Sequence, residues 1–174
     1  AFNCESLQEI YVINEMAHRY GIKANISVRI NPDIDAHTHK YVTTGLYENK
    51  FGISQHEFEK LIELIQKSEH INFFGLHFHI GSQITRVEEV YALECKRVND
   101  IVKYFERQGL IVHNINLGGG LGVDYDDPDG SPIADFGTWF STISENIVRR
   151  PDQKVHVEPG RSLVAQCATL ISRV

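Results

Sequence analysis

Three short segments of this 174-residue chain carry residue types that could do chemistry, and each follows an apolar, strand-like run. The segments are His77–Gln83 (HFHIGSQ), Asn116–Gly122 (NLGGGLG) and His156–Arg161 (HVEPGR). In parallel α/β architectures, ligands bind beyond the carboxyl ends of the strands. We therefore expect the three segments to meet at one edge of a sheet and to form a site there.

The glycine triplet Gly118–Gly120 could bind an anion, because backbone amides approach a phosphate closely where no Cβ intervenes. It is not a dinucleotide fingerprint, since Val123 stands where a further glycine is needed, and the chain has no Gly-x-x-x-x-Gly-Lys phosphate loop. By itself the triplet is more typical of a glycine turn than of a binding site.

His77 and His79 are two residues apart and share one face of a strand, as do the ligands of several barrel metal hydrolases. His113, His156 or Glu158 could complete such a metal site. However, the first two of these lie toward the beginnings or middles of their strands, whereas barrel ligands come from the carboxyl ends. We favour one core histidine and one functional histidine. A metal hydrolase that uses the pair remains the alternative.

Glu158 and Arg161 enclose a Pro-Gly pair at a strand end. A carboxylate in this position needs a partner, and a cationic ring nitrogen would be one. The planar fork of the arginine suits a phosphate or a carboxylate. Taken alone, the two residues are more typical of a salt bridge that closes a tight turn.

Strand-like runs and amphipathic helices alternate along the chain, so the sheet is predicted to be parallel with right-handed crossovers. This pattern fits either part of a (β/α) barrel or an open doubly wound sheet. A complete eight-fold barrel typically needs about 250 residues, so this chain is too short for one. The predicted strands are Phe2–Cys4, Ile26–Ile30, Phe73–His79, His113–Leu117 and Lys154–Glu158, with a last β-branched stretch at Ala168–Val174.

Helix starts and stops are also visible in the sequence. Three capping boxes each predict a helix start, two glycines predict left-handed helix ends, and a fourth helix is predicted before Pro151. In chain order the boxes are Ser6 with Glu9, Ser54 with Glu57, and Thr85 with Glu88; the glycines are Gly21 and Gly109; the fourth helix is Phe136–Val148.

The composition limits the possible partners. Lys and Arg number 17 against 23 Asp and Glu, a net charge of −6 without a basic stripe, which argues against nucleic-acid binding. No run approaches the roughly 18 apolar residues of a membrane span, and no signal peptide is visible, so a cytoplasmic location is predicted. Cys4, Cys95 and Cys167 fit neither a disulfide framework nor a zinc site and are interpreted as buried.

Six motifs in order resemble the pyridoxal-phosphate-dependent decarboxylases of the alanine-racemase-like barrel class, most of all those that act on diaminopimelate. The motifs are Phe2–Ser6, Val28–Pro32, Thr44–Ile53, His77–Gln83, Gly118–Gly120 and Glu158–Arg161. The resemblance implies decarboxylation of meso-diaminopimelate to L-lysine, with decarboxylation of a related basic amino acid as an alternative. A third, non-enzymatic hypothesis is a structural or regulatory domain descended from such a decarboxylase.

The resemblance also implies roles for individual residues and no metal site. His79 would stack on the pyridoxal phosphate ring, and Glu158 would hydrogen-bond the pyridine nitrogen and hold it protonated. Arg161 would also bind a substrate carboxylate. The cofactor phosphate would be held by Ser82, Gly118, Gly119, Gly120, Gly160 and Arg161.

The fold implied by the resemblance is a single domain over residues 1–174: a partial (β/α) TIM-type barrel of about five parallel strands. The first strands, the C-terminal β domain and the lysine that bonds the cofactor would lie outside this chain, and Lys50 is interpreted as structural. A homodimer is implied for the complete enzyme. The chain alone is expected to bind the cofactor weakly, if at all, and to be inactive.

Overall fold

The computed structural model of the chain describes residues 1–34, 51–126, 134–165, 167 and 171–173. Most of the Thr44–Ile53 motif, including Lys50, lies outside the described residues. So does most of the stretch from residue 168 to residue 174, and its described residues, 171–173, form no strand.

Five parallel strands form one sheet in the order β1-β2-β3-β4-β5. This consecutive order decides between the two predicted architectures, because a doubly wound sheet reverses its strand order at a switch point. The sheet is therefore an arc of a (β/α) barrel, as the resemblance implies. The strands are β1 Phe2–Cys4, β2 Ala24–Arg29, β3 Ile71–His77, β4 Asn114–Asn116 and β5 Lys154–His156.

The strand register aligns the ends of four neighbouring strands. Arg29 of β2 pairs with His77 of β3, which pairs with Asn116 of β4, which in turn pairs with His156 of β5. The residues that follow this row therefore emerge at one edge of the sheet. This is the edge at which the sequence predicts the site.

Helices connect the strands and cover the sheet. Both predicted glycine helix ends are confirmed, since Gly21 and Gly109 have φ of +63° and +85°. The predicted fourth helix is confirmed but ends at Asn146, two residues early, and a short fifth helix was not predicted. The helices are α1 Leu7–Arg19, α2 Phe58–Lys67, α3 Val87–Arg107, α4 Phe136–Asn146 and α5 Arg161–Val164, with a 3-10 turn at Gln55–Glu57.

Two of the three capping boxes are confirmed. The box of Ser6 and Glu9 opens α1, with both hydrogen bonds at 3.2 Å. The second box opens the 3-10 turn that leads into α2.

The third box, at Thr85, is wrong, because α3 begins at Val87 without a side-chain cap. The backbone of Ile84 bonds to Gly120 O and to the amide of Gly122 (2.8 and 2.9 Å), which keeps the chain extended up to this point.

The core lies between the sheet and its helices. Its fully buried members include Ile26, Val28, Leu76 and Ile115 from the strands and Ile10, Leu61 and Phe105 from the helices. Burial raises the pKa of the Cys4 thiol to about 11 and that of Cys95 to about 12, so both behave as small apolar residues. Cys167 is exposed, contrary to the prediction. Within the described residues, no helix has the length and apolar character needed to cross a membrane.

A fully buried carboxyl group lies in α3. Neither oxygen of Glu94 has a hydrogen-bond partner among the described residues, and burial raises its pKa well above the ordinary value. A charged form without a partner is costly in the interior. The folded protein therefore favours the protonated form of Glu94.

We predict that Glu94→Gln weakens the pH dependence of stability in the complete protein. Because the pKa of Glu94 is higher in the folded state, the folded chain holds the extra proton, and the free energy of unfolding falls as pH rises above the unfolded-state pKa of about 4.3. Through this group, the free energy of unfolding changes by at most about 1.4 kcal/mol per pH unit. Thermal unfolding over a pH series measures it, with exposed Glu88→Gln as the control. An identical profile for Glu94→Gln and the parent protein would contradict the prediction.

Candidate functional site

A cavity of about 400 Å³ opens at the carboxyl edge of the sheet. Its volume is in the range of small-molecule sites, about 300 to 1,000 Å³. Three of the predicted site residues, His79, Ser82 and Glu158, lie in its wall. The lining residues are Arg29, Asn31, Pro32, Ile34, Phe51, His77, His79, Ile80, Gly81, Ser82 and Glu158.

The Glu158 carboxylate accepts a hydrogen bond from the end of β4 and faces a histidine at the end of β3. Asn116 Nδ2 donates to Glu158 Oε1 at 2.7 Å, and His77 Nε2 lies 3.6 Å from Glu158 Oε2. The backbone amide of Glu158 donates to Gly118 O at 2.6 Å, which fixes the start of the side chain. Since the carboxylate side chain is still 57% exposed, it retains the capacity to accept a hydrogen bond from a ligand.

His77 is a buried histidine whose ring lies between β1 and the end of β5. Its Nδ1 is 2.8 Å from Asn3 Nδ2, and its Nε2 faces Glu158. Burial lowers its pKa; Arg29 and His79 lower it further, and Glu158 opposes them. The imidazole is therefore neutral at pH 7. The prediction of a core histidine fits His77, although its contact with Glu158 also makes it part of the site.

His79 is partly buried in the cavity wall and follows β3, which spans Ile71–His77 and so ends two residues before the predicted strand end at His79. Burial lowers its pKa, Arg29 lowers it further, and Glu158 opposes them, so this ring too is neutral at pH 7. The amide of Gly119 lies 3.4 Å from His79 Nδ1, which joins the histidine to the glycine triplet. His79, the triplet and Glu158 thus meet at one place, as the sequence predicts.

The glycine triplet is required by close packing of strand ends as well as by the backbone conformation, since Gly118 and Gly120 have φ of +68° and +102°. A Cβ added at each of Gly118–Gly120 would lie 2.4, 2.1 and 2.3 Å from the carbonyl oxygens of Phe78, Glu158 and Gly81, respectively. These distances are far below van der Waals contact. The glycines therefore let the ends of β3, β4 and β5 come together, and the interpretation as a mere flexible turn is wrong.

Arg161 lies apart from this cavity. Its guanidinium hydrogen-bonds the hydroxyl of Tyr125, with Cζ 5.8 Å from the ring centroid. It lines a second cavity, of about 640 Å³, together with Asp124 and Asp135. The arginine therefore contacts Tyr125 rather than forming the Glu158 salt bridge that the sequence left open. The neighbouring Gly160 is exposed and precedes α5.

The metal-hydrolase alternative lacks a ligand set in the part of the chain that the structure describes, where no group of three or more His, Cys, Asp and Glu could hold an ion. His113 Nδ1 lies 3.9 Å from Asp152, at the amino end of the sheet, and His156 Nε2 lies 2.9 Å from Asn114 Oδ1. These two histidines therefore add no ligand to His77 and His79.

Sequence reasoning assigned no role to three residues of the site, although two of them lie within the motifs it singled out. Asn3 and Asn116 contact His77 and Glu158, and Tyr91 Oη donates to Gly119 O at 3.1 Å from beneath the triplet. A polar side chain on an otherwise apolar strand was the available signal for the two asparagines. The tyrosine gave no signal, because its spacing in α3 is that of a core residue.

Comparison with known proteins agrees with this geometry. Residues 1–165 match the family described as "Pyridoxal-dependent decarboxylase, pyridoxal binding domain". Over 173 residues, which is 99% of this chain, the sequence is 46% identical to diaminopimelate decarboxylase of Bacteroides thetaiotaomicron. It is 41% identical to the Pseudomonas aeruginosa enzyme of the same name. Diaminopimelate decarboxylase of Helicobacter pylori, solved in complex with L-lysine, superposes on 94% of this chain with a TM-score of 0.81 and 37% identity.

The barrel arc and the site at its carboxyl edge define a (β/α)-barrel protein. The chain belongs to the family of pyridoxal-dependent decarboxylases, in their pyridoxal-binding domain. It spans 45% of the Bacteroides protein, 40% of the Pseudomonas protein and 40% of the Helicobacter chain.

We predict that Gly119→Ala destabilises the complete protein by about 1 to 3 kcal/mol, because the new methyl group must displace the backbone at Glu158. Urea unfolding measures the loss. Gly137→Ala is the matched control: it lies in α4, where the added Cβ would lie an ordinary 3.6 Å from Asp135 Oδ1 and alanine favours the helix by about 1 kcal/mol. Equal unfolding midpoints for Gly119→Ala and the parent would refute the close approach of Gly119 to the backbone of Glu158.

Proposed function

We propose that these residues form the cofactor-binding barrel of a diaminopimelate decarboxylase, which converts meso-diaminopimelate to L-lysine and carbon dioxide. The observation that carries this proposal is the 46% identity to an enzyme of that name over 99% of the chain. The convergence of His79, the glycine triplet and Glu158 on one edge supports it. We also propose that the complete enzyme is a homodimer, as the resemblance in its motifs implies, and that it is cytoplasmic.

The residues present fit pyridoxal phosphate. Glu158 offers a carboxylate with free acceptor capacity, as a protonated ring nitrogen requires. His79 offers a neutral imidazole in the cavity wall, suited to stacking on an aromatic ring. Beside these two residues, the strand ends pack too closely to admit a Cβ at Gly118–Gly120. The hydroxyl of Ser82 lies in the same cavity wall. We assign the phosphate to Ser82 and to the backbone of Gly118–Gly120 and Gly160. In the structure the amides of Gly118 and Gly119 donate to Asn116 Oδ1 (2.9 Å) and His79 Nδ1 (3.4 Å), so phosphate binding by these two amides requires that they exchange partners.

Arg161 is proposed to bind the phosphate end and a substrate carboxylate. In the structure its guanidinium is engaged with Tyr125 and lies in the second cavity. The proposed role therefore requires a change of rotamer that moves the guanidinium off the tyrosine hydroxyl.

Pyridoxal phosphate, when bound, supplies an electron sink for the carbanion left when carbon dioxide departs. Glu158 holds a proton on the ring nitrogen, which increases the electron demand of the ring. His79 would stack on one face of the ring and shield that face from water. Because both histidines of the site are neutral, neither adds a positive charge that would compete for Glu158.

The substrate is tested with the complete protein and added pyridoxal phosphate. Release of carbon dioxide is measured with meso-diaminopimelate, L-ornithine, L-arginine and L-lysine, and L-lysine formation is followed in the first reaction. We expect kcat/KM for meso-diaminopimelate to exceed the others by roughly 100-fold or more, the range seen where a site pairs with polar groups of its substrate. A higher value for another amino acid would assign the protein to that substrate, and no activity on any would favour the regulatory-domain hypothesis.

We predict that Glu158→Gln lowers kcat by roughly 100- to 1,000-fold, because the amide cannot hold a proton on the ring nitrogen. Bound cofactor is quantified in parallel by its visible absorbance, so that a loss of kcat is separated from a loss of cofactor. Glu63→Gln makes the same change on exposed α2, where Glu63 pairs with Lys67. Full activity in cofactor-loaded Glu158→Gln would rule out this role.

A further inference from the structure

The function proposed above gives His77 no contact with the cofactor, yet its ring faces the carboxylate of Glu158, which is proposed to bind the ring nitrogen. We propose that His77 is a positioning residue: its neutral ring orients the Glu158 carboxylate through Nε2–H, and Asn3 contacts the Nδ1 lone pair on the other side of the ring. The inference rests on the proposed function, because Glu158 is the group that faces the cofactor nitrogen. Two observations carry it. Asn3 Nδ2 lies 2.8 Å from His77 Nδ1, and His77 Nε2 is a buried atom without a hydrogen-bond partner among the described residues, with Glu158 Oε2 facing it at 3.6 Å, just beyond hydrogen-bond length.

The position of the proton on His77 follows from its two neighbours. Nε2 faces a carboxylate oxygen, and a lone pair there would be repelled, so Nε2 must carry a hydrogen. A neutral ring then has its lone pair on Nδ1. Asn3 presents its amide NH₂ to that atom, and an amide donor requires an acceptor. A doubly protonated ring would need the amide oxygen of Asn3 instead.

The surroundings of His77 oppose a positive charge. The ring is almost fully buried, with 8% of the side chain exposed. Arg29 on β2 is already a cation nearby, paired with Glu5, and His79 faces the same cavity. Glu158 is the one acidic group among the described residues that faces His77 and favours its charged form, and its own side chain is largely in solvent.

Neutrality of His77 preserves the charge of Glu158. An imidazolium at this position would form an ion pair with the carboxylate and reduce its ability to keep a ring nitrogen protonated. A neutral N–H orients the oxygen without removing its charge. Asn116 does the same for the other oxygen at 2.7 Å, and its own Oδ1 accepts from Gly118 N at 2.9 Å. Asn116 on β4 thus holds one carboxylate oxygen of Glu158 by a hydrogen bond, and the uncharged N–H of His77 on β3 faces the other.

The tautomer is measured directly by ¹⁵N NMR of imidazole nitrogens in the complete protein near pH 7. The chain has nine histidines, so the His77 signals are identified by their absence in His77→Gln. We expect a neutral ring with hydrogen on Nε2. An Nδ1–H tautomer or a doubly protonated ring overturns the proposal, whatever the activity.

Variants test the consequence for the cofactor. His77→Leu removes the donor and is expected to weaken pyridoxal phosphate binding or lower kcat by roughly 10- to 100-fold, the range for a hydrogen bond to a charged group. His77→Gln can donate from its side-chain amide and is expected to restore both to within a few-fold. His113→Leu, exposed beside Asp152 at the amino end of the sheet, is the matched control.

Asn3→Asp tests the contact at Nδ1. The new carboxylate accepts from Nδ1–H, so His77 is expected to become doubly protonated and pyridoxal phosphate affinity to gain an ionisation between about pH 6 and 8 that the parent lacks. Parent-like affinity and pH profile in both His77→Leu and Asn3→Asp would overturn the proposal. If the parent protein binds no pyridoxal phosphate, the proposed function fails, and the NMR result alone decides the protonation of His77.

Discussion

The absence of a Cβ at three successive residues is the constraint on which the site depends. Each residue of Gly118–Gly120 lies against a backbone oxygen of a neighbouring strand end, at distances that exclude any side chain. With larger residues, the ends of β3 and β5 would be forced away from β4, and Glu158 would lose the carbonyl of Gly118 to which its amide donates. Packing of main chain against main chain therefore sets the distance between His79 and Glu158.

The charges of the site follow from burial. Both histidines sit where desolvation opposes protonation, and Arg29 adds to that opposition across the cavity. The positive charge of Arg29 is compensated by Glu5, which lies just before α1. Among the described residues, the cavity wall therefore combines the exposed Glu158 carboxylate and two neutral imidazoles with Arg29, whose charge is paired with Glu5 outside the wall; the carboxylate remains able to pair with a cationic ring nitrogen.

The sequence predicted what depends on local patterns: five strands, the parallel sheet, two capping boxes and both glycine helix ends. It failed at Thr85, where pairing of Ile84 with the loop after β4 overrides the local capping signal. It also missed Asn3, which meets His77 across 74 residues of chain. Such a contact is set by strand register, and no spacing within either motif encodes it.

The peptide unit between Gly119 and Gly120 contributes to both the core and the site. Tyr91 of α3 donates to the carbonyl of Gly119 from the buried side of the sheet. Because the peptide bond is planar and trans, its N–H points opposite to its carbonyl. Fixing the carbonyl of Gly119 toward α3 therefore directs the amide of Gly120 away from that helix. Tyr91, a core residue that packs against Trp139, thereby sets the direction of the Gly120 amide at the strand end.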